Sequence, residues 1–318
     1  MKLYYRNLIQ TIVLTVLLSL GLSQLHIIDN SAKAFPIYAQ QGYENPREAT
    51  GRIVCANCHL AQRNISLEVP KSVLPNTVFE ATVKIPYNSD SKQILGNGNQ
   101  GTLNVGAVVI LPEGFKMAPA NLIPEEIKEK TKNIYIQPYS TSKDNILVVG
   151  PMPSNKKQEI TFPILSPDPS KDKNIHFLKY PIYAGGNRGR GQVYPNGDKT
   201  NNNPVLSSAN GKIKSIEILE KGDYKIDIEA IDGQIISQNI PKGLDLQIRQ
   251  GDTITINESL TRDPNMGGFG QNETEIVLQS PGRIKGMIAF FTVISIAQTF
   301  FVLKKKQWEK VQASEMNF

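Results

Sequence analysis

Alternation is the clearest pattern in this chain. Phe79, Ala81, Val83 and Ile85 are separated by Glu80, Thr82 and Lys84, which puts apolar side chains on one face of a strand and polar ones on the other. Short runs of the same kind recur at 103–111, 145–149, 159–165, 214–219, 224–231 and 253–256. Clusters of Pro, Gly, Asn and Asp separate them, and short strands punctuated by turn formers predict a β-sandwich. One segment, Pro124 to Lys132, predicts a short surface helix. Pro124 and the pair Glu125-Glu126 stand at its start and Lys128, Lys130 and Lys132 towards its end, as the helix dipole prefers.

Two longer apolar runs break the alternation. The first, 8–22, follows Lys2 and Arg6 and precedes Ala32-Lys33-Ala34. That is the order of an export signal with an A-x-A cleavage site. Gln10 and several Thr and Ser interrupt a run already short for spanning a membrane. Residues 1–34 are therefore predicted to be a cleaved signal peptide, leaving Phe35 as the first residue. The second run, 284–303, would be about 30 Å long as a helix, enough to cross a hydrocarbon core. Lys304, Lys305, Lys306 and Lys310 follow it, which keeps the 304–318 tail on the non-translocated side, although Arg283 and Lys285 on the other flank weaken the contrast. The bulk of the chain is then exported.

The formal net charge of +6 invites a nucleic-acid reading, but the excess lies in the leader and around the anchor. Residues 35–282 carry equal numbers of cationic and anionic side chains, so no nucleic-acid footprint is expected. Composition shifts near residue 203, after the Gly-rich stretch Gly185 to Gly191 and the run Asn201-Asn202-Asn203; from there to Asn265 acidic residues outnumber basic ones. An inserted second domain is the reading, with 269–278 returning the chain to the first.

Cys55-Ala56-Asn57-Cys58-His59 holds the only two cysteines. Thiols at i and i+3 can form thioethers with the two vinyl groups of one haem, and the next residue supplies an imidazole for the iron. A redox dithiol also uses C-x-x-C, but that chemistry needs no histidine directly after it. An exported chain with no other cysteine has no disulfide framework to absorb this pair. For the second axial position the residues leave several donors open: His176, Met117, Met152, Met266, or the free α-amino group of Phe35, which loses its proton readily near neutral pH. His176, within Ile175-His176-Phe177-Leu178, reads as a packed strand histidine.

Other motifs carry less. Gly96-Asn97-Gly98-Asn99-Gln100-Gly101 matches G-x-G-x-x-G, but a strand-like run follows where dinucleotide binding requires a helix, so it reads as a hairpin turn. The stretch containing Arg188 and Arg190 reads as a tight loop. Three N-x-S/T sequons, at Asn64, Asn257 and Asn272, would matter only in an endoplasmic-reticulum route.

The stretch from Phe35-Pro36-Ile37-Tyr38 to Val54, running into Cys55–Leu60, resembles the mature start of the cytochrome f family. Asn104-Val105-Gly106-Ala107, Leu111 to Phe115, Phe162 to Pro169, Tyr180-Pro181-Ile182-Tyr183, Gly185 to Gln192 and the tail from Leu303 extend the resemblance over essentially the whole chain. It implies a mainly β fold: a large β-sandwich haem domain (35–202 and 266–282), a small inserted β domain (203–265), one transmembrane helix (284–303) and a stromal tail (304–318). It also implies one covalent haem c on Cys55 and Cys58, with His59 and the amine of Phe35 as axial ligands. A buried water chain would map onto Asn187, Gln192, Asn202 and Asn265.

As a family trait, electrons would pass from the Rieske iron-sulfur protein to plastocyanin or a soluble cytochrome c, within a complex that includes cytochrome b6. The expected setting is a plastid (chloroplast) thylakoid membrane, with a cyanobacterial thylakoid as the alternative. Asn99 and Gln100 stand where plant members carry two lysines, so part of the plant docking patch is missing; Lys92, Lys199, Lys221 and Lys225 could preserve some of it. The acidic inserted domain makes a strongly electrostatic encounter less expected.

Overall fold

The computed structural model describes residues 37–153 and 158–316. The expected signal peptide, Phe35 and the last two residues of the tail lie outside the described residues. In chain order the strands are β1 (Ser66–Glu68), β2 (Ser72–Val73), β3 (Val78–Lys84), β4 (Lys92–Ile94), β5 (Gln100–Thr102), β6 (Asn104–Ile110), β7 (Lys116–Met117), β8 (Ile136–Ser140), β9 (Lys143–Pro153), β10 (Glu159–Leu165), β11 (Lys179–Arg188), β12 (Gly211–Ile218), β13 (Tyr224–Ala230), β14 (Ile235–Ile240), β15 (Thr253–Ile254) and β16 (Gly268–Leu278). The helices are α1 (Ile37–Gly42), α2 (Glu125–Thr131) and α3 (Pro281–Glu315).

Two sheets face each other. One is four-stranded in the order β1-β3-β10-β7; the other is six-stranded in the order β2-β16-β11-β6-β9-β8. Ala81, Val83, Phe162 and Ile164 from the first meet Ala107, Val109, Leu147, Val149, Ile182 and Ile276 from the second in one buried core. The alternation of β3 is the direct cause, since Phe79, Ala81 and Val83 all fall on this inner face.

The six-stranded sheet is covered on its outer face too. Val108, Ile146, Val148, Tyr139 and Phe269 form a second apolar layer there with Ile53. Hence Val105 to Val109 on β6 are all buried, and the strand reads as a continuous apolar run instead of an alternation. The sheet's middle is made close by Gly185 and Gly186 on β11. A Cβ on Gly185 would lie 2.6 Å from Phe269 Cζ, and one on Gly186 would lie 2.9 Å from Ile85 Cγ1, so the two glycines admit bulky side chains on opposite faces.

A third sheet, β14-β13-β12-β15, has its own core of Ile213, Ile226, Ile228, Ile240, Leu244, Ile254 and Leu260. Ile94, from β4, packs into that core. β4 pairs with β5 across the Gly96-Asn97-Gly98 turn, closed by Leu95 N–H donating to Asn99 O at 2.8 Å. The G-x-G-x-x-G match is thus a hairpin, as the sequence indicates.

Several expectations are corrected. The Gly-rich stretch is not a loop throughout: β11 runs to Arg188, pairing with β16 on one side and β6 on the other. Glycine concealed it, because turn-forming composition masks a strand that needs small residues for close packing. His176 is not a packed strand residue; it is exposed in an irregular segment, with its backbone N–H donating to the Tyr180 hydroxyl at 3.1 Å. The apolar C-terminal run lies within the longer helix α3, whose Ser280 side chain caps Arg283 N–H at 3.3 Å with Pro281 in the first turn. α3 has a mean hydropathy of 2.0 in its apolar window, long and apolar enough to cross a membrane.

Gly185→Ala should force Phe269 or its neighbours aside and cost about 1–3 kcal/mol. A thermal melt of the purified protein checks this; an unchanged melting temperature would contradict the packing account.

Candidate functional site

The C-x-x-C-H residues sit on a single tight turn. A 3-10 helix spans Val54–Asn57, with Ala56 N–H donating to Ile53 O at 3.0 Å and His59 N–H to Cys55 O at 3.0 Å. A helical turn brings side chains at i and i+3 to the same side, which is the geometry two linked thiols need. Both cysteines are free thiols.

The turn is anchored at both ends. Ile53 and Val54 are buried at 1% and 2% exposure. Ile53 N–H donates to Gln271 Oε1 at 3.0 Å, and Gln271 Nε2 donates to Gly51 O at 3.0 Å. On the far side, Leu60 N–H donates to Gln192 Oε1 at 2.8 Å, and Gln192 N–H donates to Cys58 O at 2.8 Å. Gly191 allows this approach, since a Cβ there would stand 3.0 Å from Cys58 O. The chain then joins β16: Phe269 N–H donates to Ala61 O at 2.8 Å and Arg63 N–H to Phe269 O at 2.9 Å.

His59 is held from β11. Asn187 Nδ2 lies 3.0 Å from His59 Nε2, and Gly106 on β6 leaves room for this amide, because a Cβ there would meet Asn187 Oδ1 at 2.8 Å. With the amide donating, Nε2 offers the lone pair and Nδ1 carries the proton. Nδ1 is buried with no hydrogen-bond partner. Burial pushes the His59 pKa down to about 4 and the Cys55 thiol up to about 12, and it also raises Cys58. The imidazole is therefore neutral at physiological pH, the form that ligates metal. A cavity of about 630 Å³ opens beside His59, lined also by Arg52, Ala56, Leu60, Phe269 and Gln271. Neutral imidazole, two uncommitted thiols and an adjoining cavity fit a covalently held haem.

Of the remaining candidates, Met117 and Met266 are 37% and 51% exposed, Met152 packs against the inner sandwich core, and His176 is exposed. None of these four lines the cavity. Phe35 lies outside the described residues. Of the four amides, Asn187 and Gln192 contact the C-x-x-C-H turn as above, while Asn202 Nδ2 donates to Arg190 O at 2.8 Å and to Asn265 Oδ1 at 3.3 Å. Sequence reading missed Gln93, whose buried Oε1, like Asn202 Oδ1, has no protein partner. It also missed Tyr139, hidden beside Pro138 in a strand with no obvious alternation. Arg188 is buried at 4% exposure and donates through Nη2 to Asn64 O at 3.1 Å.

A mainly β body that presents a neutral imidazole beside paired thiols and ends in an apolar helix defines a membrane-anchored haem protein. Residues 35–189 match the family model described as Apocytochrome F, N-terminal, and residues 201–318 match Apocytochrome F, C-terminal. Cytochrome f of Gracilaria tenuistipitata var. liui is 68% identical over 308 residues, covering 96% of this chain and 99% of the relative. Cytochrome f of Porphyra purpurea is 65% identical over 314 residues, 98% of each chain. That of Marchantia polymorpha is 59% identical over 288 residues, 90% of each. The chain belongs to the cytochrome f family. It is accordingly an electron-transfer cytochrome of the cytochrome b6f complex, with haem as its cofactor and one helix for a thylakoid membrane.

The low His59 pKa has a consequence before haem is attached. Above pH about 6.5 the imidazole is neutral in both folded and unfolded chains, and stability is fully present. As pH falls from 6.5 towards 4 the unfolded chain takes the proton first, so stability is lost across that window. Urea unfolding of the haem-free protein at several pH values should show this loss, and His59→Gln should remove the part due to this side chain; an identical slope in both would contradict it.

Proposed function

We propose that this chain carries one haem c, attached through thioethers to Cys55 and Cys58, with His59 as one axial ligand and the α-amino group of Phe35 as the other. The observation that carries the reading is the single turn that sets two free thiols beside a neutral imidazole. Bound there, haem supplies reversible one-electron chemistry at iron. The protein's part is to keep the imidazole unprotonated and enclosed; the Asn187 contact marks Nε2 as the nitrogen whose lone pair the iron would take in place of the amide. The amine reading is supported by the family resemblance and by the placement of the alternatives, exposed or packed into another core. Free acceptors on Gln93 and Asn202 suit ordered water, which supports a water chain through Asn187, Gln192, Asn202 and Asn265.

The route of electrons is from the Rieske iron-sulfur protein to plastocyanin or a soluble cytochrome c, linking photosystem II to photosystem I, with cytochrome b6 among the neighbouring subunits. The protein itself turns over no substrate. We assign 35–202 and 266–282 to a large haem domain, 203–265 to an inserted small domain, and 284–303 to the membrane helix. The body faces the lumen of a plastid thylakoid and the 304–318 tail the stroma, in line with the lysines that follow the span.

Cys58→Ala should abolish stable covalent haem, because one thioether does not fix the ring over His59. Haem staining of the denatured protein checks this, and normal staining would sink the attachment proposal. Because residues 35–282 are neutral overall, the on-rate for the soluble acceptor should decline only modestly with ionic strength. A steep decline in stopped-flow traces would show that local patches govern docking.

A further inference from the structure

The chain passes from β16 into α3 with almost no linker. Leu278 ends the strand and Pro281 opens the helix, so only Gln279 and Ser280 lie between. The last residues of β16 are held on both sides. Val277 N–H donates to Lys71 O at 3.0 Å and Gln279 N–H to Val73 O at 2.8 Å, while Leu278 N–H donates to Leu178 O at 3.0 Å. Val73 and Leu278 are buried in the sandwich core, but the apolar residues beside them are not: Leu74 is 43% exposed, Phe177 37% and Leu178 54%. Their backbone is pinned. Leu178 N–H and the Tyr180 hydroxyl both donate to His176 O, at 2.9 and 2.7 Å, and Leu74 O accepts from Thr77 Oγ1 at 2.7 Å and Ser166 Oγ at 2.6 Å. A fixed backbone thus displays three large apolar side chains around the point where the helix leaves, and a clustered apolar surface marks a contact site.

What covers that site follows from how close it lies to lipid. Two extended residues and the first turn of α3 separate Leu278 from Ile284, where the apolar run begins; that is about 13 Å of chain at most. The headgroup layer fills roughly 5–7 Å of this gap, and a Leu or Phe side chain reaches across much of the rest. Charge agrees. Among the described residues Lys71, beside the rim, and Arg283 and Lys285, at the start of α3, make no ion pair, whereas Glu275 on β16 is already paired with Lys179. Free cations at this height suit phosphate headgroups. We infer that Leu74, Phe177 and Leu178 form a lipid-seating rim, which enters the headgroup layer of the bilayer that α3 crosses. The inference rests on the reading of α3 as a membrane span. Tethering by α3 makes the contact intramolecular, so a weak preference of three side chains for lipid suffices. β16 runs from Gln271, bonded to Ile53 at the start of the C-x-x-C-H turn, to Leu278 at the rim, about 24 Å away along the strand. A seated rim therefore restricts how the turn swings relative to the bilayer.

Fluorescence quenching by brominated lipid tests the rim in the purified protein reconstituted into phosphatidylcholine vesicles. Trp308 is the only tryptophan, so Trp308→Phe gives a silent background. Into it go, one at a time, Phe177→Trp and Leu178→Trp at the rim, Phe291→Trp within the apolar run, and Ile231→Trp in the exposed turn between β13 and β14. The ratio of intensities in brominated and unbrominated vesicles cancels quenching by haem. Bromine at shallow acyl positions should quench the rim tryptophans at least twofold more than Ile231→Trp, and deep bromine should quench Phe291→Trp most. Two rim positions keep the test open should one substitution disturb folding. Rim tryptophans quenched no more than Ile231→Trp, beside a quenched Phe291→Trp, would overturn the lipid seat and leave the rim to a protein neighbour. An unquenched Phe291→Trp would show instead that α3 does not span, and the seat would fall with that reading.

Discussion

The site depends on one seam. Along its 269–271 portion β16 is paired with β11 on one side only, since its other neighbour, β2, reaches only Val277 and Leu278. An open strand edge must find partners for its N–H and C=O groups, and here the partner is the chain that follows the C-x-x-C-H turn. Ala61 and Arg63 exchange backbone hydrogen bonds with Phe269, while Gln271 reaches back to Ile53 and Gly51. Each bond contributes only about 1 kcal/mol net, but together they hold the turn at both ends. The thiols and the imidazole inherit their positions from that seam.

Close approach is the second requirement, and glycine supplies it. Gly106 makes room for the amide that meets His59, Gly191 for the carbonyl of Cys58, and Gly185 for Phe269 beneath the turn. A neutral histidine follows from the enclosure these contacts create, since burial penalises the charged form. The same enclosure leaves polar atoms such as Gln93 Oε1 and Asn202 Oδ1 without protein partners.

The parts of this arrangement that were legible in the sequence are those with local signatures. The alternation at β3, the apolar run at 159–165, the hairpin at Gly96-Asn97-Gly98 and the apolar core of α3 each announce themselves within a few residues. The C-x-x-C-H spacing does the same for its chemistry. β11 was hidden because the property that makes it central, small residues packed on both faces, imitates a loop. Tyr139 and Gln271 were hidden because their roles are set by partners roughly a hundred and two hundred residues away, and neither carries a spacing that singles it out. His176 misled because an apolar neighbourhood in sequence does not fix exposure in space.

The central proposal is that the chain is cleaved before Phe35 and carries one haem attached through this turn. The intact mass of the purified protein under denaturing conditions tests it most directly. The account predicts one species, equal to the chain from Phe35 to Phe318 plus one covalently bound haem. A mass equal to the bare polypeptide, or to a chain that begins before Phe35, would contradict it.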